Sequence, residues 1–172
     1  MGKRRVVCQV TKEEGLSGTF YRVRHNNRNL YYKDEETYLK SIRDKELKDE
    51  IDEFVAIEIL NYDSGNYVPP FFKKRVNQLN KLYPLEVILS TFKSNLENLQ
   101  YWMNQDSKFK DENGRINYMM AIVTNNINNE YEKWKVKQRQ DRVDNTVKVD
   151  MDLLDININN TNKENNGIRD FL

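Results

Sequence analysis

The chain has 172 residues, and its 28 lysines and arginines nearly balance its 27 aspartates and glutamates, so the formal net charge is +1. One cysteine and one histidine exclude an intramolecular disulfide and every metal site that needs several histidines. No apolar run approaches the roughly 20 residues of a membrane-spanning helix, and the apolar stretch behind the basic N-terminus is too short for a signal peptide. We therefore expect a soluble domain with short appendages, in a reducing compartment, without a cofactor or a membrane partner.

The charge is distributed unevenly along the chain. Residues 1–33 carry eight basic and two acidic side chains (+6), whereas residues 34–60 carry four basic and ten acidic ones (−6). Residues 144–172 carry three basic and six acidic side chains (−3). Because local fields steer association more than net charge does, charged patches are expected to select the partners of this protein.

The N-terminal residues 4–33 predict a small antiparallel β-meander, because β-branched and aromatic side chains recur between turn residues. The His25-Asn26-Asn27-Arg28 run predicts a tight turn, since asparagine tolerates left-handed backbone angles. Three strands and one glycine-containing loop are expected, over residues 5–10, 18–24, 29–32 and 12–18 respectively.

An acidic helical segment is expected over residues 34–66. Asp34 is a candidate N-cap, and Glu35 and Glu36 favour the first turn because they lie at the positive end of the helix dipole. Residues 54–60 fit the helical spacing but also alternate as a strand does. Helix and strand both remain open there, and we adopt the helix.

Residues 67–143 predict a helical domain of three helices. The second helix carries apolar residues at spacings of three and four as far as Met103, and the third carries them from Ile116 to Trp134. The three helices are expected to begin at Pro69-Pro70, at Pro84, and after a polar loop over residues 106–114.

The C-terminal residues 144–172 are rich in asparagine and aspartate, which is typical of a disordered or weakly ordered tail. One alternating run in this tail favours strand addition to a partner; it comprises Val147, Val149, Met151 and Leu153. The fold class predicted from the whole chain is α+β, with a small N-terminal antiparallel β-meander, an α-helical bundle and a flexible acidic tail.

Two groups of cations are candidates for nucleic-acid binding. The first lies in the meander, where Arg22 and Arg24 share a face by two-residue alternation and Tyr21, Tyr31 and Tyr32 are close in sequence. The alternative is that these cations form ion pairs with the acidic segment that follows. This first group comprises Lys3, Arg4, Arg5, Arg22, Arg24 and Arg28.

The second group of cations ends the third predicted helix, around and after Trp134. As a helical extension it would lie along a phosphate backbone. The alternative is a solvated helix end whose cations stabilise the negative end of the helix dipole. This group comprises Lys133, Lys135, Lys137, Arg139 and Arg142.

The sequence gives little support to an enzyme. There is no phosphate-binding glycine loop. Cys8 would be a nucleophile only with His25 beside it, and packing and turn formation are the commoner roles of such residues. The carboxylates of residues 34–60 lack the spaced signature of a metal-dependent nuclease. We therefore expect a protein without catalytic activity.

Residues 69–137 resemble the C-terminal helical domain of DnaD-like replication proteins, found in low-GC Gram-positive bacteria and their phages. That domain has a helix similar to the one that begins at Tyr83-Pro84-Leu85, followed by a loop and a helix with a Tyr-x-x-x-Ile-x-x-x-Trp motif. Tyr118 and Ile122 match the first two members, whereas Asn126 occupies the tryptophan position and Trp134 follows eight residues later.

The resemblance implies that Tyr118, Ile122 and the cations after Trp134 contribute to DNA binding, and that the protein takes part in helicase loading. The family's N-terminal winged helix is not evident in residues 4–33. The alternative for Tyr118 and Ile122 is a purely structural role, as part of an apolar helix face.

Together these patterns predict a phage or mobile-element accessory protein of DNA replication. Its 23 asparagines are typical of AT-rich genes, which are common in phages and plasmids of bacterial hosts. We expect non-specific, salt-sensitive DNA binding in the host cytoplasm and docking to a replicative helicase or its loader. The alternative is a small phage protein that binds and inhibits a host protein complex without contacting DNA. A homo-oligomer also remains open.

Overall fold

The structure is a computed structural model that describes residues 4–63, 67–105 and 108–164, with side chains described as far as residue 143. The chain divides into two compact units, Met1–Asn126 and Ile127–Leu172. The described elements are β1 (Arg5–Val7), β2 (Glu14–Leu16), β3 (Tyr21–His25), β4 (Arg28–Tyr32), α1 (Glu35–Phe54), a π-helix (Val55–Ile59), α2 (Pro70–Leu79), α3 (Leu85–Ser94), α4 (Leu96–Met103) and α5 (Glu112–Glu164).

The predicted class is confirmed, since short antiparallel strands precede a set of helices. The strands form two separate hairpins, β1 with β2 and β3 with β4, so the prediction of one three-stranded meander is wrong in topology. The loop predicted over 12–18 contains β2, in which Gly15 pairs with Val6. A Cβ at Gly15 would lie 2.3 Å from Cε1 of Phe20, so a larger residue there would have to displace that ring.

The turn between β3 and β4 is confirmed. Asn26 and Asn27 both have positive φ angles, 45° and 61°, as expected for a two-residue turn that matches the twist of the flanking strands. The start of α1 is confirmed as well, because the carboxylate of Asp34 accepts a hydrogen bond from the Thr37 amide at 2.7 Å.

Residues 54–60 are helical, which confirms the interpretation that we adopted. Val55–Ile59 form a π-helix, a wide turn that is rare and usually limited to one turn. Val55, Ala56 and Ile59 are buried in this turn, whereas Ile57 is 48% exposed. The wide turn therefore holds three apolar residues inside and one at the surface.

The helix predicted from Pro84 to Met103 is two helices, separated at Asn95. The Asn95 side chain donates to the Thr91 carbonyl at 2.9 Å, which is the kind of side-chain bond that competes with the helical backbone pattern. The polar loop also ends earlier than predicted. Asp111 accepts from the Gly114 amide at 2.6 Å, so α5 begins at Glu112.

The backbone of α5 is helical as far as Glu164, so residues 144–164 of the predicted tail are helical in the structure, and the strand addition to a partner that the alternating run favours stays a prediction. Val143, Val147, Met151 and Leu154 also follow spacings of four, four and three, which a helix accommodates. Residues 165–172 of the predicted tail lie outside the described residues.

The core of the first unit lies among the helices. Phe72 of α2 and Phe92 of α3 are fully buried, with ring centroids 5.9 Å apart. α1 contacts α3, and the π-helix contacts α4. Ion pairs at the surface also join α1 to its neighbours, with Arg43 3.1 Å from Glu86 and Lys73 2.9 Å from Asp52.

Tyr62 follows the π-helix and donates a hydrogen bond to the Glu112 carboxylate of α5. Partial burial and the adjacent Glu112 charge raise the pKa of Tyr62 to about 12. An unfolded tyrosine titrates near pH 10. The folded state thus retains this proton at pH values where the unfolded chain has lost it.

We expect the contribution of Tyr62 to the free energy of unfolding to be complete below about pH 10 and to decline as the pH rises toward about 12. Urea unfolding of the wild type and Tyr62→Phe across this range measures it. At neutral pH the free energy of unfolding of the variant should be about 1 kcal/mol lower than that of the wild type. As the pH rises from about 10 to about 12, this free energy should decline less in the variant than in the wild type. Equal alkaline declines in both proteins would contradict the assignment.

Candidate nucleic-acid interface

Polar side chains that are candidates for nucleic-acid binding lie on one face of the β3–β4 hairpin. The register pairs Arg22 with Tyr31 and Arg24 with Asn29, and side chains opposite each other in two strands lie on the same face. Arg22, Arg24, Asn27 and Asn29 line a shallow surface depression. The alternation of Arg22 and Arg24 predicted this shared face. Sequence reasoning missed Asn27 and Asn29, whose positions depend on the register of β4.

The opposite face of this hairpin packs against α1. The rings of Tyr21 and Tyr32 lie 5.6 and 5.0 Å from the ring of Tyr38. Loss of solvent around its ring, together with the charge of Glu35, raises the pKa of Tyr21. Because Tyr21 and Tyr32 face α1, they do not join the arginines as the sequence predicted, and the arginine face remains at the surface.

Arg4 lies next to this arginine face. Its Nη2 donates to the Tyr31 hydroxyl at 3.1 Å, and its guanidinium carbon lies 5.8 Å from the centre of that ring. Tyr31 is only 7% exposed, so its hydroxyl holds Arg4 against the hairpin. We call Arg4, Arg22 and Arg24 the outer arginine face.

Among the side chains that the structure describes, no carboxylate neutralises the outer arginine face. Arg24 donates to the side-chain oxygen Oδ1 of Asn27 at 3.4 Å, and within residues 4–63, 67–105 and 108–143 no ion pair involves Arg4, Arg22 or Arg24. Two acids of the segment 34–60 pair instead with lysines of later helices: Glu50 with Lys93 and Asp52 with Lys73. The described side chains therefore do not show the alternative pairing between the meander and the acidic segment.

Three members of the first predicted group lie elsewhere or are not described. Arg5 is exposed on β1, opposite Leu16. Arg28 pairs with His25 at the turn end of the hairpin and, by alternation, belongs to the register of the other face. Lys3 lies outside the described residues. The structure thus brings together three of the six predicted cations.

The second predicted group lies on α5, in the second unit. Lys133 pairs with Glu130 at 2.7 Å and Lys135 with Glu132 at 2.6 Å. Lys135 also lies 4.8 Å from the centre of the Tyr131 ring, which stacks on Trp134. Arg142 has an interaction of its own within the chain. Lys137 and Arg139 are exposed, and the side chains described give neither of them an ion pair.

The surroundings of Tyr118 differ from the pattern of the DnaD-like motif. Tyr118 is 39% exposed, and its ring lies 5.6 Å from that of Trp102 and 5.7 Å from that of Phe109. Lys108 lies 4.0 Å from the centre of the Trp102 ring. A tryptophan from α4 therefore contacts Tyr118.

The other two positions of the motif have structural roles on α5. Ile122 is half-buried, and its carbonyl accepts from the Asn126 side chain at 2.8 Å. Such a bond from a side chain to the carbonyl four residues earlier is internal to one helix. In this chain, the Asn126 side chain therefore bonds to a backbone carbonyl within its own helix.

The residues considered for catalysis have ordinary structural contacts. Cys8 is fully buried, and its sulfur accepts from the Thr11 amide at 3.4 Å. Burial raises the pKa of the Cys8 thiol, but hydrogen bonds from Thr11 and neighbouring backbone groups lower it further, so the net shift is downward. His25 is exposed and contacts Asn26. Among the described residues, no three histidine, cysteine or acidic side chains are placed to share a metal ion.

Comparison with known proteins gives one family. No curated protein and no solved structure matches the chain, and none of the helices described is both long enough and apolar enough to cross a bilayer. A family model described as SPbeta prophage protein YorH matches residues 8–170, nearly the whole chain. This match supports the predicted phage origin and gives no support to the DnaD-like resemblance. The chain belongs to the SPbeta prophage protein YorH family.

Proposed function

We propose that this phage protein binds DNA without sequence preference and that the outer arginine face makes the phosphate contacts. The observation that carries the proposal is that Arg4, Arg22 and Arg24 have no carboxylate partner among the described residues. Guanidinium groups bind phosphate through paired hydrogen bonds. A two-stranded ribbon is also narrow enough to enter the major groove of DNA.

The geometry of the hairpin supports this role. Arg22 and Arg24 are two residues apart on one strand, so their attachment points are separated by about 6.6 Å along the strand. Asn27 and Asn29 border the same depression and offer both donors and acceptors to sugars, phosphates or base edges. The packing of the opposite face on α1 fixes the ribbon from behind.

Fluorescence anisotropy of a labelled DNA duplex, titrated with the full chain over a range of salt concentrations, tests DNA binding. We expect the affinity to fall steeply with added salt, because each neutralised phosphate contributes about 0.9 to the slope of log K against log salt. Arg22→Gln with Arg24→Gln should weaken binding about tenfold and reduce the slope by about 1.8.

The matched control is Lys40→Gln with Lys45→Gln, which removes two exposed charges from α1. This control should retain the slope of the wild type. Equal losses in both variants would show that only net charge matters and would contradict the assignment to the hairpin. A wild type without DNA affinity would overturn the proposal and favour the alternative, a phage protein that inhibits a host complex.

We further propose that the protein serves phage DNA replication in the host cytoplasm by docking to a replicative helicase or its loader. The phage family supports this role, and so does the outer arginine face, which has no carboxylate partner among the described residues. Binding of the purified chain to the purified host helicase and to its loader tests it separately from DNA binding. We expect a complex with one of the two; no complex with either would remove the replication role and leave the DNA-binding proposal intact.

A further inference from the structure

A shallow groove on α1 and the π-helix is lined by apolar and acidic side chains. They are spaced three and four apart, and thus lie on one side of the helix. Ile57 is 48% exposed although it is a large aliphatic residue. We call this surface the acidic groove; its residues are Glu50, Glu53, Phe54, Ile57 and Glu58.

Part of the charge in the acidic groove is compensated within the chain. Lys93 pairs with Glu50 at 2.7 Å and lies 5.8 Å from the centre of the Phe54 ring. Glu53 and Glu58 have no ion pair among the described side chains. Two uncompensated carboxylates therefore flank an exposed apolar surface.

A surface of opposite charge lies on α5. Val136 and Val143 are 62% and 56% exposed, and their separation of seven residues, close to two helical turns, puts them on one side of the helix. Lys137 and Arg139 lie between them in sequence and are exposed. We call these four residues the basic α5 face.

We propose that the protein self-associates, with the basic α5 face of one copy packed into the acidic groove of a second copy. Both surfaces expose large aliphatic side chains, and the charges that flank them are opposite in sign. An apolar seam with complementary flanking charges is the arrangement by which helices select partners in coiled coils. Each chain carries both surfaces, so a two-fold dimer forms the contact twice. This interface goes beyond DNA binding and does not depend on it.

Sedimentation velocity of the full chain over a dilution series tests the interface. We expect a dimer that dissociates on dilution and with added salt, because the exposed charge pairs are screened. Glu53→Lys with Glu58→Lys should give a monomer, as should Lys137→Glu with Arg139→Glu. The matched control, Glu36→Lys with Glu46→Lys, changes two exposed acids elsewhere on α1 and should remain a dimer.

Mixing the two monomeric variants is the decisive step. In the mixture the reversed groove of one variant meets the reversed α5 face of the other, and the remaining pair of surfaces is native. We expect a heterodimer, and its formation would also show that both variants are folded. A wild type that is monomeric at every concentration, a dimer that persists in both variants, or a mixture that stays monomeric would overturn the proposal.

Discussion

Phe92→Ala should lower the free energy of unfolding by about 3–5 kcal/mol. Phe92 is fully buried in α3 and packs against the buried ring of Phe72 from α2. Truncation removes apolar surface from the core and leaves a cavity that rigid neighbouring helices fill only in part. Because domains of this size are stable by roughly 5–15 kcal/mol, much of that stability would be lost.

Urea unfolding followed by circular dichroism measures this loss. Tyr101→Ala is the matched control, since this aromatic side chain on α4 is 63% exposed. We expect the control to cost less than about 1 kcal/mol. Similar decreases in the free energy of unfolding for Phe92→Ala and Tyr101→Ala would mean that the core of the first unit is not where the structure places it.

Glu112→Ala should lower the free energy of unfolding by about 2 kcal/mol, which is more than we expect for Tyr62→Phe. Glu112 accepts from the Tyr62 hydroxyl and pairs with Arg115 at 3.7 Å. The Arg115 side chain is only 16% exposed, and its Nε is buried without a hydrogen-bond partner. Removing the carboxylate would leave a half-buried hydroxyl without its acceptor and a largely buried guanidinium without its paired charge.

Thermal and urea unfolding of two variants separate this effect from a general helix-end effect. Glu97→Ala removes an acid from the first turn of α4, where it is exposed, and should cost less than about 1 kcal/mol. Glu112→Gln keeps an acceptor oxygen for Tyr62 but removes the charge near Arg115, so we expect an intermediate loss. The prediction fails should Glu112→Ala prove no more destabilised than Glu97→Ala.

The parts of the fold that could be predicted from sequence depend on local chemistry. Asp34 begins α1 because its carboxylate reaches the Thr37 amide, and Pro70 is tolerated in the first turn of α2. β2 could not be predicted in this way. Gly15 has low strand propensity, and its strand forms by pairing with β1, whose residues lie seven to eleven positions earlier in the chain.

The part of the candidate interface that could be predicted from sequence also depends on local chemistry. Alternation along β3 is a property of the strand itself, so it placed Arg22 and Arg24 together. Which cations form ion pairs depends on tertiary packing. Because the charges of residues 1–33 and 34–60 are equal and opposite, the sequence alone left pairing between these two segments open. The acidic groove escaped prediction because the exposed side of α1 is defined by where α3 packs.

The π-helix marks a place where the helix can change its length by one residue. Its Val55–Ile59 turn holds one more residue than an α-helical turn would. Loss of a single codon there would let the helix close with ordinary spacing, so the residues after the turn would keep nearly the same direction. Leu60 would stay interior, whereas a one-residue deletion in the middle of α1 would rotate every later residue of that helix by about 100°.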